Sequence, residues 1–139
     1  MFAIEDNPAD IRLVREGVDA ADIELALHVL NSGQQAADKL TAIDADSPED
    51  HPDLILLDLN LPGKSGFDLL EVVRNESAFR DVPVVIVSSS ENPDDINRSY
   101  ELSANAYITK PTDPDDYIEM IDATVNFWVV TATRSTANE

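Results

Sequence analysis

Four places in the sequence set a chemically capable side chain directly after a short apolar run. Glu5-Asp6 follows Phe2–Ile4, Asp58 follows Leu54–Leu57, Ser88 follows Val84–Val87, and Lys110 follows Ala106–Thr109. Taken singly, each has an ordinary explanation: carboxylates cap helices, serines fill turns and lysines are usually solvated. Gathered at one place they mean more. Three carboxylates held a few ångströms apart repel, and some need a proton or a compensating cation. A hard divalent ion with oxygen ligands relieves that repulsion, and Mg²⁺ suits a site of few carboxylates, waters and a phosphoryl group. With that ion and Lys110 beside it, Asp58 is equipped as a nucleophile, because carboxylates can take a phosphoryl group to form an aspartyl phosphate. The turn after Asp58 fits the same chemistry: the Asn60 backbone carbonyl could face the metal, and Pro62-Gly63 leads the chain away from the pocket. Catalysis of this kind is positioning and charge neutralisation.

The elements that must bring these residues together are legible as β-α units. Short apolar runs alternate with helix-periodic segments along the chain, the pattern of crossover helices covering a parallel sheet. Strands are expected at Phe2–Ile4, Glu24–Leu30, Leu54–Leu57, Val84–Val87 and Ala106–Thr109. The third and fourth are continuously apolar, which marks strands covered on both faces. Asn7-Pro8 is a helix cap followed by proline at the first helical position, after which Ile11, Val14 and Val18 share a face. Further helical faces are Ala36, Leu40 and Ile43; Phe67, Leu70 and Val73; Ile96 and Tyr100; and Ile118, Ile121, Val125 and Trp128. In an open parallel α/β sheet, ligands sit in the crevice at the carboxyl ends of the strands. If the four strands are parallel and central, the polar residues singled out above meet at that edge.

Composition narrows the function. The 139 residues suggest one compact domain spanning 1–139, with the fifth helix reaching about residue 130 and a short polar tail after it. The short first strand leaves open a true start upstream of Met1. A net charge of −19, from 28 acidic against 9 basic residues, disfavours nucleic acid and anionic membrane as partners. The abundance of aspartate and the scarcity of lysine, at Lys39, Lys64 and Lys110 alone, fit a surface adapted to a high-salt cytoplasm; an ordinary acidic protein is the alternative. No cysteine is present, which excludes disulfides, thiol catalysis and zinc ribbons. The N-terminus lacks the features of a signal peptide and no segment is long enough to span a bilayer, so a soluble, cytoplasmic protein is expected. His28 and His51 lack metal-ligand spacing and receive no role. The stretch Asp44–Asp53, "DADSPEDHPD", reads as an acidic loop into the third strand.

The acidic pair in "IEDN", the aspartate in "LLDLNLPG", the hydroxyl in "VIVSSS" and the lysine in "YITKP" occur in an order and spacing that resembles the response-regulator receiver domain of two-component signalling, similar to CheY. The resemblance runs from about Phe2 to Phe127. It implies a flavodoxin-like α/β fold with five parallel strands in the order 2-1-3-4-5, for which CheY is a standing example. It also implies that Asp58 accepts phosphate from a sensor histidine kinase or histidine phosphotransfer protein. Asp6 would then bind Mg²⁺ directly, Glu5 through water and Asn60 through its carbonyl. Ser88 would bond and report the phosphoryl group, Lys110 would pair with it, and the Lys110–Pro111 bond would be cis. Tyr107 matches the family's switch aromatic, for which the plain alternative is a static strand tyrosine.

Some features depart from the family pattern. Glu5 stands where many members carry aspartate, and Ser88 where threonine is frequent. No segment resembles a DNA-binding output domain, so output through an unknown downstream protein is expected. "DLNLPGKSGFDLL", the acidic loop and "NFWVV" resemble the stand-alone members that partner phytochrome-type sensor kinases. Phe127, Trp128, Val129 and Val130 are apolar on more than one helical face, which suits a homodimer or partner contact as well as packing on the sheet. A phosphohydrolase of the haloacid-dehalogenase type would want an aspartate where Asn60 stands, and a dinucleotide-binding protein a glycine-rich turn where Glu5-Asp6-Asn7-Pro8 stands. A receiver-like module that acts without phosphorylation is the third rival.

Overall fold

The computed structural model describes residues 1–42, 52–75 and 81–131. Five strands, β1 (Phe2–Ile4), β2 (His28–Leu30), β3 (Ile55–Leu57), β4 (Val84–Ser88) and β5 (Ala106–Thr109), alternate with five helices. These are α1 (Pro8–Ala20), α2 (Gly33–Ala42), α3 (Gly66–Asn75), α4 (Pro93–Glu101) and α5 (Pro114–Val125). All strand pairs are parallel and the order is β2-β1-β3-β4-β5. This is the doubly wound arrangement expected from the sequence.

Three of the helices begin alike. Asn7, Asn92 and Asp113 each sit in extended backbone, accept backbone N–H bonds of the first turn on the side chain, and precede a proline that needs no donor partner there. The three caps fix where the chain leaves β1, β4 and β5.

The pleat divides the sheet between two apolar layers. Phe2, Ile4, Ile55, Leu57, Val84 and Ile86 pack under α2 and α3 with Leu40, Leu70 and Val73. Ala3, Leu54, Leu56, Val85 and Val87 pack under α1 and α5 with Val14, Val18, Ile121 and Val125. Gly17 lets α1 approach α5, since a Cβ there would stand 2.5 Å from Ile121 Cβ.

Several expectations need correction. Strand β2 is His28–Leu30 and not Glu24–Leu30: the ladder with β1 pairs His28, Val29 and Leu30 with Phe2, Ala3 and Ile4, and before it the Ala26 carbonyl accepts a single bond, from the Met1 amino group at 2.9 Å. Helix α4 ends at Glu101, and two residues on Ser103 takes a left-handed backbone with φ 72°. No peptide bond among the described residues is cis, so Lys110–Pro111 is trans, the form that even X–Pro bonds favour by about 0.5–1 kcal/mol. The helical chain does reach beyond residue 130, but α5 proper stops at Val125 and the wider π-helical winding Asn126–Thr131 continues it. There Trp128 and Val129 pack on the α1–α5 layer, while Phe127 and Val130 are 52% and 61% exposed. Ile43, most of the acidic loop, His51 and the polar tail lie outside the described residues.

Candidate functional site

The parallel register builds the site. Ile4 is paired with Leu57 across β1 and β3, so the next residues, Glu5 and Asp58, emerge side by side. Ser88 is paired with Thr109 across β4 and β5, and the Lys110 amide donates to the Ser88 carbonyl at 2.8 Å. Gly66 lets the first turn of α3 close on this edge, since a Cβ there would stand 2.5 Å from the Asp58 carbonyl oxygen.

One carboxylate oxygen from each of Glu5, Asp6 and Asp58 lies within 4.8 Å of the others. Glu5 and Asp58 are buried and Asp6 is exposed at the mouth. An all-oxygen set of this spacing fits a hard divalent cation. Asn60 and Ser89, with Lys110, Pro111 and Thr112, complete an open cleft of about 630 Å³ above these acids. The Asn60 amide donates to Asp58 Oδ1 at 3.1 Å, and the Asn7 amide to Glu5 Oε1 at 3.0 Å, so backbone donors orient both buried carboxylates.

Lys110 is the cation of the site. Its Nζ donates to Glu5 Oε2 at 2.9 Å, Asp10 Oδ2 at 2.8 Å and Asp58 Oδ2 at 3.0 Å. Burial acts to lower the Lys110 pKa, but the hydrogen bonds to Asp10, Glu5 and Asp58 outweigh it and drive the pKa well above its ordinary value. Burial also raises the Glu5 carboxyl, to about 7, and the neighbouring Asp58 charge adds to the rise, against the lowering by the Lys110 and Asn7 hydrogen bonds.

Every predicted residue reaches this edge, but Ser88 and Tyr107 sit differently from the rest. Ser88 is fully buried and its Oγ accepts from the Ser90 amide at 3.2 Å; its neighbour Ser89 faces the cleft instead. Among the described residues no acceptor takes the Ser88 hydroxyl proton. Tyr107 is half-buried on β5 and donates its hydroxyl to the Ser90 carbonyl at 2.7 Å, while its amide donates to the Tyr100 hydroxyl at 3.1 Å.

Two residues escaped sequence reading. Asp10 lies in the first turn of α1, four residues after Asp6, and no local signal sets it apart from the many other acidic residues of the chain. Tyr117 of α5, 2% exposed, lines a small cavity of about 10 Å³ behind the site together with Glu5 and Asp58. Its burial pushes the phenol pKa well above the usual value. No described residue accepts or donates a hydrogen bond at its hydroxyl.

The family model of the response regulator receiver domain matches residues 1–122, and the chain belongs to that family. It is therefore a two-component receiver, a signalling domain whose phosphodonor is a histidine kinase. The response regulator Rcp1 of Synechocystis sp. is 37% identical over 137 residues, 99% of this chain and 93% of that protein. The crystal structure of the phosphorylated cyanobacterial phytochrome response regulator RcpA superposes with a TM-score of 0.88 at 36% identity, covering 97% of this chain and 96% of that one. The Mn²⁺-bound form of Rcp1 gives 0.86 at 36% identity, with 97% of each chain covered. Among the described residues no helix is long and apolar enough to cross a membrane.

Proposed function

We propose that Asp58 is the phosphoacceptor and that the protein switches partner binding when Asp58 carries a phosphoryl group. The Asp58 carboxylate would bond to phosphorus as the bond from phosphorus to the histidine nitrogen of a kinase or phosphotransfer protein breaks. The observation that carries this reading is the contact of Lys110 Nζ with Asp58 Oδ2 at 3.0 Å, beside the oxygen set of Glu5, Asp6 and Asp58. Mg²⁺ is the cation assigned to that set; Asp6 and Asp58 would hold it directly, Asn60 through its carbonyl and Glu5 through water, and it would supply charge neutralisation for phosphoryl oxygens. Backbone N–H donors hold Asp58 and Glu5 in place, and Lys110 pairs with the phosphoryl oxygens. The one chemical activity of the domain is its own phosphorylation and dephosphorylation.

Ser88 and Tyr107 are assigned the switch. The unspent Ser88 hydroxyl proton suits a phosphoryl oxygen, and a Ser88 that turns towards Asp58 gives up the Ser90 amide, whose residue also holds Tyr107. The reading extends to a cytoplasmic, single receiver domain over 1–139 with a sensor kinase of the phytochrome-responsive kind, as the likeness to Rcp1 and RcpA suggests. Exposed Phe127 and Val130 would serve a homodimer or a downstream protein. Sedimentation that finds only monomer with and without beryllofluoride excludes the dimer. The acidic surface is assigned to high salt, and equal melting temperatures in low salt and in molar KCl exclude that assignment.

Incubation with acetyl phosphate and Mg²⁺, read by intact mass, tests the central claim. One phosphoryl group is expected on the wild type and none on Asp58→Asn. Absence of the adduct from both overturns the claim in favour of a receiver that works without phosphorylation.

A further inference from the structure

Lysine has three N–H donors. Lys110 spends all three on carboxylates, at 2.9 Å to Glu5, 2.8 Å to Asp10 and 3.0 Å to Asp58. The ammonium is saturated, so any new acceptor on Asp58 can be served only if one of the three lets go. Side-chain exposure separates them: Glu5 and Asp58 are each 6% exposed, Asp10 is 20% exposed and lines the open cleft. A carboxylate released where water does not reach is left charged and poorly solvated, whereas one at the cleft wall is rehydrated. Asp10 also keeps a favourable position without Lys110, since it lies in the first turn of α1 at the positive end of the helix dipole. Its side chain makes no other hydrogen bond among the described residues. Of the three, Asp10 is the one that yields at least cost.

From these contacts we infer that Asp10 is a positioning residue that holds Lys110 in the unphosphorylated protein and competes with the phosphoryl group for it. The inference rests on the assignment of Asp58 as phosphoacceptor. Asp10 opposes the phosphoryl group twice, by occupying a donor of Lys110 and by adding a like charge beside an incoming dianion. The same charge favours a divalent cation in the neighbouring oxygen set, so loss of Asp10 drives the two ligands in opposite directions. A merely structural defect would weaken both.

The test compares the full chain with Asp10→Asn and Asp10→Glu. At saturating Mg²⁺, Asp10→Asn should bind beryllofluoride about three- to tenfold more tightly than the wild type, the difference between a charged and a neutral partner for one hydrogen bond. Mg²⁺ alone should bind more weakly to the same variant, and Asp10→Glu should restore both constants towards the wild type. A metal-free readout stands beside these: in protein labelled with ¹⁵N-lysine, the ammonium resonance of Lys110 should shift or broaden in Asp10→Asn while those of Lys39 and Lys64 stay in place. Unchanged or weaker beryllofluoride binding by Asp10→Asn, with wild type that binds it, overturns the inference. Failure of the wild type itself to bind beryllofluoride or take phosphate from acetyl phosphate overturns the phosphoacceptor reading instead. In that event an unmoved Lys110 resonance also disposes of the resting contact.

Discussion

Replacing Lys110 by methionine should make the metal-free protein less stable, by an amount that depends on pH in a direction the site dictates. Methionine keeps the apolar stem in place and removes the ammonium, leaving Glu5, Asp10 and Asp58 without their shared cation. Breaking a buried ion pair from one side costs about 3–5 kcal/mol. Here the lower end applies, because Asp10 faces the cleft and Glu5 has a way out: with its carboxyl raised to about 7 by burial, it can take up a proton. Loss of the Lys110 hydrogen bond removes an influence that holds Glu5 down, so in the variant the carboxyl rises further and protonation offsets more of the loss in acid than in base. The expected destabilisation is about 3 kcal/mol at pH 8 and smaller by about 1 kcal/mol at pH 6. Urea unfolding in EDTA at the two pH values, followed by circular dichroism, measures both quantities. A loss under about 1 kcal/mol at pH 8, or a larger loss at pH 6 than at pH 8, would refute the idea that Lys110 is the charge on which these carboxylates depend.

The wild type in EDTA carries its own pH signature: Glu5 binds a proton more tightly folded than unfolded, so its contribution is full below its ordinary value of 4.5 and is lost as pH rises through about 7. That group alone should remove up to about 3 kcal/mol between pH 5 and pH 8, and the stability difference between wild type and Glu5→Gln should change over that interval. Gly17→Ala gains about 1 kcal/mol of helix propensity but sets a Cβ 2.5 Å from Ile121 Cβ and 2.6 Å from its Cγ2, and overpacking of this kind costs about 1–3 kcal/mol. A net fall in melting temperature is expected; a rise would mean that α1 and α5 separate freely. Arg74→Met should cost about 2–4 kcal/mol, since Arg74 donates to the Ser103 and Val82 carbonyls at 3.0 and 2.8 Å and to Asn105 Oδ1 at 2.7 Å, tying α3 to the segments that lead into β4 and into β5. Urea midpoints check it, with an unchanged midpoint against it.

What the sequence disclosed follows a physical division. Strands β3 and β4 are central and buried on both faces, so their composition is uniformly apolar and could not be mistaken. The proline-bearing caps at Asn7, Asn92 and Asp113 are local signals that need no tertiary context, although only the first was read as such. The edge was harder: Glu24–Leu27 has apolar residues at strand spacing, yet the ladder with β1 runs only from His28 to Leu30, and an edge strand with one neighbour has bounds that spacing alone does not fix. Asp10 was invisible as a site residue because its partner lies 100 positions away, and only the meeting of β5 with α1 joins them. Tyr117 reads from sequence as one more apolar contact of α5, and its hydroxyl matters only because α5 lies over β1 and β3. Ser88 is marked by its place after the apolar run Val84–Val87, but which of Ser88 and Ser89 faces the cleft depends on how the pleat ends, which no spacing rule supplies.

The two halves of the site differ in how firmly they are held, and that difference limits how a phosphoryl group could signal. On the β1–β3 side, Glu5 and Asp58 leave paired, fully buried strands and each carboxylate is held by a backbone donor. On the β4–β5 side, β5 is an edge strand with no residue fully buried, and Ser99 is the one buried residue of α4. Moving a two-state element from almost wholly off to almost wholly on takes about 5.5 kcal/mol of differential stabilisation. A single hydrogen bond to a charged group contributes about 1.5–3 kcal/mol, so Ser88 alone does not suffice. The Ser88–Ser90, Tyr107–Ser90 and Ser90–Asp95 bonds form a chain running from β4 through β5 into α4. Disturbing the first link disturbs the anchors of the other two. A full switch at this site therefore has to draw on the whole chain at once, and a Tyr107→Phe protein, with one link removed, should already lie part of the way towards the balance point before any phosphate arrives.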